Sequence, residues 1–220
     1  MTIKKGDFVE FDYTGRVEDI IFDTTIEKIG KELNSKKEFK PLKICVGQNH
    51  VLPGLDSALV GLKTGKHKVS LKAQDAFGKK DPKLLKLMPM KLFKKQGINP
   101  YPGLELNMDG QVASVKSVSG GRVIVDFNHP LSGKDVDYEV DIKRIIEDKK
   151  EQLESLLELM SIPFTKVDVK EKKADAKVAM EIPEQFADMI KKQVKDLIGL
   201  ELSFKVEETK KEKDTQSQKK

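Results

Sequence analysis

Apolar and polar residues alternate along several short stretches of the chain. Between residues 8 and 14, Val9, Phe11 and Tyr13 fall on one face and polar side chains fall on the other. A period of two predicts a half-buried antiparallel strand. The same pattern predicts three more strands in this part of the chain, over residues 42–46, 68–72 and 136–142.

One short helix interrupts these strands. After Pro53 and Gly54, apolar residues recur at helical spacing, and Gly65 follows as a stop signal. The apolar positions are Leu55, Ala58, Leu59 and Leu62. We therefore expect an α+β fold in which an antiparallel half-barrel sheet wraps around a short helix.

A β-rich segment is inserted before the last of these strands. Residues 79–86 are rich in Lys, and residues 87–126 then combine apolar side chains with several Pro and Gly. Strands are predicted near 111–118 and 122–127, joined by a hairpin turn at residues 119–121. The segment is therefore expected to fold as a small β-rich domain.

The last third of the chain predicts a second small α+β domain. Asp148 and Glu151 stand at the spacing of a capping box before an amphipathic helix that ends before Pro163. Two strands, over 164–170 and 177–182, should precede a second helix and a final strand over 200–206. The second helix is expected to begin at Pro183 and to bury a stripe formed by Phe186, Met189, Ile190, Val194 and Leu197.

These patterns divide the chain into four regions. Residues 1–86 and 127–152 form the first domain, residues 87–126 the inserted domain, and residues 153–207 the C-terminal α+β domain. Residues 208–220 contain no apolar side chain, which predicts a disordered charged tail.

Composition excludes several classes of protein. No apolar run approaches the roughly 20 residues needed to span a bilayer, so we expect no membrane partner. The N-terminus becomes charged before any stretch long enough for a signal peptide, and the single Cys45 cannot form an internal disulfide. Both features predict a cytoplasmic protein. The formal charge of +5 comes mainly from Lys, whereas base and phosphate recognition favours Arg, so no specific nucleic-acid partner is expected.

No pattern indicates a metal or a cofactor. The chain has no Gly-rich phosphate loop, no paired Cys and no His-x-x-His arrangement. His50, His67 and His129 are scattered and are expected to be structural or surface residues. We therefore expect no metal and no cofactor.

Five short motifs carry the strongest signal in the sequence. They are Tyr13-Thr14-Gly15, Ile21-Phe22-Asp23-Thr24-Thr25, the ten residues 46–55, the six residues 61–66, and Asp75-Ala76-Phe77-Gly78. In this order and spacing they resemble the FKBP family of peptidyl-prolyl isomerases. The Phe-Asp pair resembles that family's FD(S/T) pocket motif, and Ala-Phe-Gly resembles its AYG loop.

The resemblance extends to particular branches of that family. Residues 126–134, Asp-Phe-Asn-His-Pro-Leu-Ser-Gly-Lys, are similar to the GNHxLAG segment of SlyD-type members. Those members carry an insert-in-flap chaperone domain at the place of the inserted segment. The C-terminal region is similar to the extra domain of the long archaeal type.

The resemblance implies a prolyl isomerase with an apolar substrate pocket. Its implied lining is Tyr13, Phe22, Asp23, Val51, Leu52, Leu55, Phe77, Leu131 and Tyr138. Judged as residues alone, the apolar members of this set would also serve as the ordinary core of a half-barrel. Leu55 and Phe77 replace the Trp and Tyr that are usual in the drug-binding members.

The inserted segment leaves two interpretations open. Its apolar residues form either the core of a small domain or a surface that binds unfolded clients. About forty residues cannot bury so many apolar groups fully, and flexible Met side chains suit promiscuous binding. The expected client contacts are Leu87, Met88, Met90, Leu92, Phe93 and Met108.

Three functional hypotheses follow. The first is a prolyl isomerase with chaperone activity, which acts on X–Pro bonds of unfolded or nascent proteins by desolvation and orientation. The second is a non-catalytic chaperone that holds exposed apolar and proline-containing segments. The third is docking of the basic surface on ribosomal RNA. Self-association through the C-terminal domain is a further open alternative.

Overall fold

The computed structural model describes residues 1–33, 38–108 and 110–207. Within these residues the chain combines strands and helices in a mixed arrangement, so the predicted α+β class is confirmed. None of the described helices is long and apolar enough to cross a membrane. The predicted charged tail, residues 208–220, lies outside the described residues.

The described residues form twelve strands and five α-helices. In chain order the strands are β1 (Phe8–Val17), β2 (Ile20–Thr24), β3 (Leu42–Cys45), β4 (Gly65–Leu71), β5 (Leu85–Pro89), β6 (Glu105–Met108), β7 (Gln111–Ser119), β8 (Arg122–Asp126), β9 (Val136–Ile146), β10 (Phe164–Lys170), β11 (Lys173–Val178) and β12 (Glu201–Val206). The helices are α1 (Glu27–Glu32), α2 (Pro53–Leu59), α3 (Met90–Lys95), α4 (Lys149–Leu159) and α5 (Glu184–Ile198).

The first sheet has the strand order β2-β1-β9-β4, and β3 also pairs with β1. The β1–β3 pair is antiparallel, with Phe8 opposite Cys45 and Phe11 opposite Leu42. Helix α2 begins with Pro53 at its first turn and buries Leu55 and Leu59. The strands and the helix predicted for this region are thus confirmed to within a few residues. Strand β2 and helix α1 were not predicted, because neither segment shows a clear apolar period.

The inserted segment forms an antiparallel sheet with the order β5-β8-β7-β6. The hairpin turn between β7 and β8 contains Gly120 and Gly121 at φ 55° and 76°, and a two-residue turn of this kind needs two positive φ angles. Helix α3 buries Phe93 against Val123 and Val125. The two strands of this hairpin were predicted, whereas β5, α3 and β6 are too short and too irregular in pattern to show in the sequence.

The C-terminal region forms the sheet β10-β11-β12 with helices α4 and α5. Strands β11 and β12 are parallel, and α5 supplies the long connection that a parallel pair requires. The predicted cap of α4 is confirmed, because the Asp148 carboxylate accepts a 2.8 Å hydrogen bond from the Glu151 backbone N–H. Gly199 ends α5 with φ 74°, a left-handed conformation that glycine adopts without strain.

Two boundaries in this region were predicted wrongly. Strand β11 covers Lys173–Val178 rather than 177–182, because Ala174 and Ala176 supply its buried face. Ala is a weak strand former, so the alternation of apolar residues used to predict strands did not reveal this face. Pro183 occupies the cap position and α5 begins one residue later.

The buried face of α5 also differs from the predicted stripe. Ala187, Ile190, Val194 and Ile198 are buried. Phe186 and Met189 were expected to be buried but are 60% and 53% exposed. The small Ala187 therefore lies against the protein, and the two larger side chains next to it face solvent.

The core of the C-terminal region continues into the first sheet. Phe8, Cys45 and Ile146 belong to the same buried cluster as Leu153 and Leu156 of α4. Removal of the C-terminal region would therefore expose apolar side chains of β1 and β3.

Contacts between residues divide the chain into two compact units. Unit 1 contains Met1–Gly15, Asp23–Val69 and the residues from Tyr138 onward, and unit 2 contains Arg16–Phe22 and Ser70–Asp137. The inserted sheet lies within unit 2, and the C-terminal region lies within unit 1.

Candidate active site

A short hydrogen bond between two residues of unit 1 joins strands β1 and β2. The Tyr13 hydroxyl on β1 donates to Oδ2 of Asp23 on β2 at 2.6 Å. The other carboxylate oxygen of Asp23 accepts from the backbone N–H of Thr24 at 2.9 Å. Both oxygens of this half-buried carboxylate are thus held by donors, which fixes its orientation.

Tyr138 on β9 completes an aromatic cluster with Tyr13. The two rings meet edge to face, with centroids 5.8 Å apart, and Phe11 lies 6.1 Å from Tyr13. Burial, followed by the nearby Asp23 charge, raises the pKa of Tyr138 to about 12. Burial and the hydrogen bond to Asp23 also raise the pKa of Tyr13. Both hydroxyls therefore keep their protons through the neutral range and act as donors there.

Two threonines after Asp23 hold the backbone of Tyr13, and sequence analysis missed them as site residues. The Tyr13 carbonyl accepts from Thr24 Oγ1 and from the Thr25 backbone N–H, each at 3.0 Å. The Tyr13 N–H donates to Thr25 Oγ1 at 2.9 Å. Both threonines are buried, so these bonds are shielded from water. Their partners lie more than ten residues away along the chain, which no local motif reveals.

Helix α2 contains the predicted pocket residue Leu55 and a buried carboxylate. Leu55 is 1% exposed, whereas Val51 and Leu52 are half-buried. The Asp56 carboxylate accepts from the backbone N–H groups of Gly47 and Asn49, each at 2.8 Å. This carboxylate therefore fixes the turn that leads into Val51 and Leu52, a role that sequence analysis also missed.

A second aromatic cluster lies in unit 2. The rings of Phe22 and Phe77 meet edge to face at 5.5 Å, and His129 stacks on Phe77 at 4.6 Å with an interplanar angle of 3°. His129 Nδ1 accepts from the Leu131 backbone N–H at 3.2 Å. His129 was expected to be a structural or surface residue, and it is exposed, with its ring stacked on one of the predicted pocket residues.

The nine predicted pocket residues therefore fall into two groups. Unit 1 contains Tyr13, Asp23, Val51, Leu52, Leu55 and Tyr138, and unit 2 contains Phe22, Phe77 and Leu131. Among the described residues, no group of three or more His, Cys, Asp or Glu side chains is placed to hold a metal ion.

Comparison with known proteins finds two family matches along the chain. A family model described as FKBP-type peptidyl-prolyl cis-trans isomerase matches residues 1–93, and one described as FKBP26, IF domain, matches residues 86–131. A probable FKBP-type 16 kDa peptidyl-prolyl cis-trans isomerase of Pseudomonas fluorescens is 30% identical over 119 residues, which is 51% of this chain and 78% of the relative. The chain belongs to the FKBP-type peptidyl-prolyl cis-trans isomerases.

Two further relatives cover more of the chain. A short-type peptidyl-prolyl cis-trans isomerase of Methanocaldococcus jannaschii is 29% identical over 147 residues, which is 65% of this chain and 94% of the relative. The FKBP-type peptidyl-prolyl cis-trans isomerase SlyD of Helicobacter pylori is 25% identical over 138 residues, which is 60% of this chain and 68% of the relative. The resemblance to FKBP-type and SlyD-type proteins is therefore confirmed.

In the insert of this FKBP-type protein, the predicted client contacts differ in burial. Leu87 and Leu92 are 60% and 45% exposed, and the three methionines, Met88, Met90 and Met108, are half-buried. Phe93 is only 1% exposed and packs in the core of the insert. A buried ring cannot contact a client, so we remove Phe93 from the predicted contacts.

Proposed function

We propose that this FKBP-type isomerase catalyses cis–trans isomerisation of X–Pro bonds by removing water from the peptide and orienting it at the cluster formed by Tyr13, Asp23 and Tyr138. The single observation that carries the proposal is the cluster of Tyr13, Tyr138 and Asp23, in which both carboxylate oxygens of Asp23 already accept hydrogen bonds. A carboxylate held in this way orients a peptide but is poorly placed to transfer a proton.

The chemistry of the reaction needs no more than this. Rotation about the peptide bond meets a barrier of about 18–20 kcal/mol, because amide resonance is lost in the twisted state. The planar amide is the more polar of the two, so removal of water from its carbonyl disfavours the planar state relative to the twisted one. Tyr13 and Tyr138 supply apolar ring faces and hydroxyl donors at the same place.

Three residues of unit 2 are proposed, independently of this cluster, as contacts to the polypeptide. Phe22, Phe77 and Leu131 are apolar and half-buried, and His129 and the Leu131 backbone hold one another in place. Val51, Leu52 and Leu55 are proposed as aliphatic contacts to the proline ring on unit 1.

The insert is proposed as a chaperone domain that binds unfolded or nascent polypeptides. On its outer face, exposed Leu87 on β5 pairs across the sheet with Ile124 on β8, which is 37% exposed. Hydrogen bonds at both ends of β5, from Phe127 N to Leu84 O and from Met90 N to Gly121 O, fix which residues of β5 bond to β8 and which do not. The backbone groups of Leu87 then face away from β8 and are available to an added client strand.

The four regions defined by the sequence are retained in this proposal. Residues 1–86 and 127–152 carry the isomerase, residues 87–126 carry the client-binding insert, and residues 153–207 form the C-terminal domain. Strand β5 and helix α4 each cross one of these boundaries by a few residues. The single Cys45 is buried and free, which fits a reducing cytoplasm.

The exposed Phe186 and Met189 are proposed to support self-association. Sedimentation of a Phe186→Ser variant as a smaller species than the wild type would support this.

Refolding of a protein limited by a cis-proline step tests the proposed function. The uncatalysed step takes tens of seconds or more, so acceleration by the enzyme is easy to measure. We expect acceleration at catalytic amounts of the wild-type chain. If the chain suppresses aggregation but gives no acceleration even at stoichiometric amounts, it acts as the non-catalytic chaperone instead.

A further inference from the structure

The segment that enters the insert carries more positive charge than the whole chain. Seven lysines and one aspartate give residues 79–95 a formal charge of +6, whereas the complete chain carries +5, so all other residues together carry −1. Every residue from 79 to 87 is exposed, and so are the three lysines of α3. We call the exposed lysines and leucines of residues 79–95 the basic face.

The charge of the basic face is largely unneutralised. Asp81 is the one acidic residue of the segment, and its Oδ1 accepts from the backbone N–H of Lys83 as a helix cap. Lys80 shares the buried Asp126 with Lys116, at 3.6 Å from each ammonium group. Within the part of the chain that the structure describes, the other six lysines of the basic face have no carboxylate at ion-pair distance.

Apolar side chains lie among these lysines. Leu84, Leu87 and Leu92 are 38%, 60% and 45% exposed, and Leu87 belongs to the outer face proposed above for client binding. Leu87 lies on the outer face of the sheet with Ile124, whereas Leu92 lies on α3, which packs on the opposite face. An unfolded segment bound at either leucine is therefore within the positive field of the +6 segment at low salt. Acidic side chains of the client would be attracted there, and basic ones would be repelled.

We propose that the basic face selects client segments that combine apolar side chains with net negative charge. The inference rests on the proposed client binding by the insert and adds the class of client to it. Apolar contacts with the leucines supply the affinity, and the lysines set the preference among clients and the rate of encounter.

An unfolded acidic chain fits the basic face better than RNA does. Binding of single-stranded RNA relies on exposed aromatic rings and on Arg that stack with bases. The one aromatic residue of the segment, Phe93, is buried, and the segment contains no Arg. The nearby Phe127 ring is covered by the Lys86 ammonium group at 4.8 Å from its centroid.

Three matched peptides test the proposal on the full chain. They contain the same apolar residues and no Pro, and they differ in carrying Glu, Gln or Lys at the intervening positions. By fluorescence anisotropy at low salt, we expect the Glu peptide to bind about tenfold more tightly than the Gln peptide and the Lys peptide to bind most weakly. The differences should shrink as salt is raised, because exposed charges are screened.

The outcomes separate this inference from the function on which it rests. Equal, measurable affinity for all three peptides would overturn the charge preference and leave client binding intact. Failure of all three to bind would overturn client binding itself, and the inference with it.

Charge-reversal variants locate the effect. The triple variant Lys79→Glu, Lys83→Glu and Lys91→Glu should reverse the peptide order. Lys170→Glu, Lys172→Glu and Lys173→Glu make the same change of net charge at exposed lysines of the C-terminal domain and should preserve the order. Equal effects of the two variants, with circular dichroism showing both folded, would overturn the assignment to the basic face.

Labelled oligouridylate tests the competing partner. If it binds the wild-type chain with a steep salt dependence, is lost in the Lys79 triple variant and is not displaced by the Glu peptide, the basic face is an RNA surface and the proposal is wrong.

Discussion

The Tyr13 hydroxyl on β1 donates a 2.6 Å hydrogen bond to Oδ2 of Asp23 on β2. Because the second oxygen of Asp23 accepts from Thr24 N, the carboxylate is fixed beside the Tyr13 ring. Thr24 and Thr25 in turn hold the Tyr13 backbone from the same segment of chain. The arrangement favours a pocket that orients a peptide over one that exchanges protons with it.

Replacement of Asp23 separates orientation from proton transfer. Asp23→Asn keeps one acceptor oxygen and the shape of the side chain, so kcat/KM for an X–Pro tetrapeptide should fall by less than about tenfold. The rate should also stay flat between about pH 5 and 9, since both tyrosine hydroxyls keep their protons there. A loss of about 100-fold or more in Asp23→Asn would indicate that Asp23 acts as a general acid.

The aromatic walls should matter more than the carboxylate. Tyr138→Ala is expected to lower kcat/KM for the tetrapeptide by about tenfold or more, because water then reaches the substrate carbonyl. Phe77→Ala is expected to lower it to a similar extent, because an apolar contact to the peptide is lost. Tyr138 is 5% exposed and also packs β9, so thermal unfolding must accompany the kinetics. An Ala variant that stays folded and remains fully active would remove that ring from the proposed site.

Ionisation of Tyr138 should weaken the fold at high pH. The pKa of Tyr138 is raised to about 12 in the folded chain, so folding favours the neutral hydroxyl. Its contribution to the unfolding free energy is complete below the ordinary pKa near 10 and is lost as the pH rises toward 12. Between these values the wild type should lose about 2 kcal/mol more unfolding free energy than Tyr138→Phe. Denaturant unfolding at several alkaline pH values measures this difference, and parallel decline of the two proteins would contradict it.

An ion cluster in unit 1 joins the first sheet to α4. Arg144 donates to Glu10 at 2.7 Å and to both carboxylate oxygens of Glu151, and Lys43 also donates to Glu151 at 2.7 Å. Arg144 and Lys43 lower the pKa of Glu151 to about 2. Glu151 thus contributes stability above its ordinary pKa near 4.5, and this contribution is lost as the pH falls toward 2.

Glu151→Gln should therefore lower the unfolding free energy at pH 7 by about 1–2 kcal/mol, a value reduced because the Arg144 side chain is partly exposed. The difference from the wild type should shrink as the pH is lowered through this range. Lys150→Gln, at an exposed i,i+4 pair with Glu154, is the matched control and should change stability by less than about 0.5 kcal/mol. A difference that is constant with pH would contradict the ionic origin.

The sequence predicted those parts of the molecule whose signals are local. Alternation found β1 and β9, which carry Tyr13 and Tyr138, and short motifs contain Tyr13 and Asp23. The structure joins Tyr13 to Asp23 by a hydrogen bond and to Tyr138 by a ring contact. Thr24, Thr25 and Asp56 escaped because their partners are backbone atoms that only the fold brings near.

Burial proved harder to predict than secondary structure. Phe93 was assigned to a client surface because about forty residues cannot bury so many apolar groups fully, yet α3 turns this ring into the core of the insert. Phe186 and Met189 were assigned to a buried stripe, but the small Ala187 permits the closer approach on the adjacent face of α5. The positions of apolar residues do not by themselves identify which face of a helix packs against the rest of the protein.

Removal of the insert tests the division of labour between pocket and insert most directly. Residues 87–126 can be replaced by a short Gly/Ser linker, because the Phe127 N–H donates to the Leu84 carbonyl at 3.0 Å and the two cut ends are therefore close together. We predict nearly unchanged isomerisation of a tetrapeptide and a strong loss of catalysis in proline-limited refolding of a whole protein, because the insert raises the local concentration of client near the pocket. Equal losses on both substrates, in a variant that circular dichroism shows to be folded, would contradict the account.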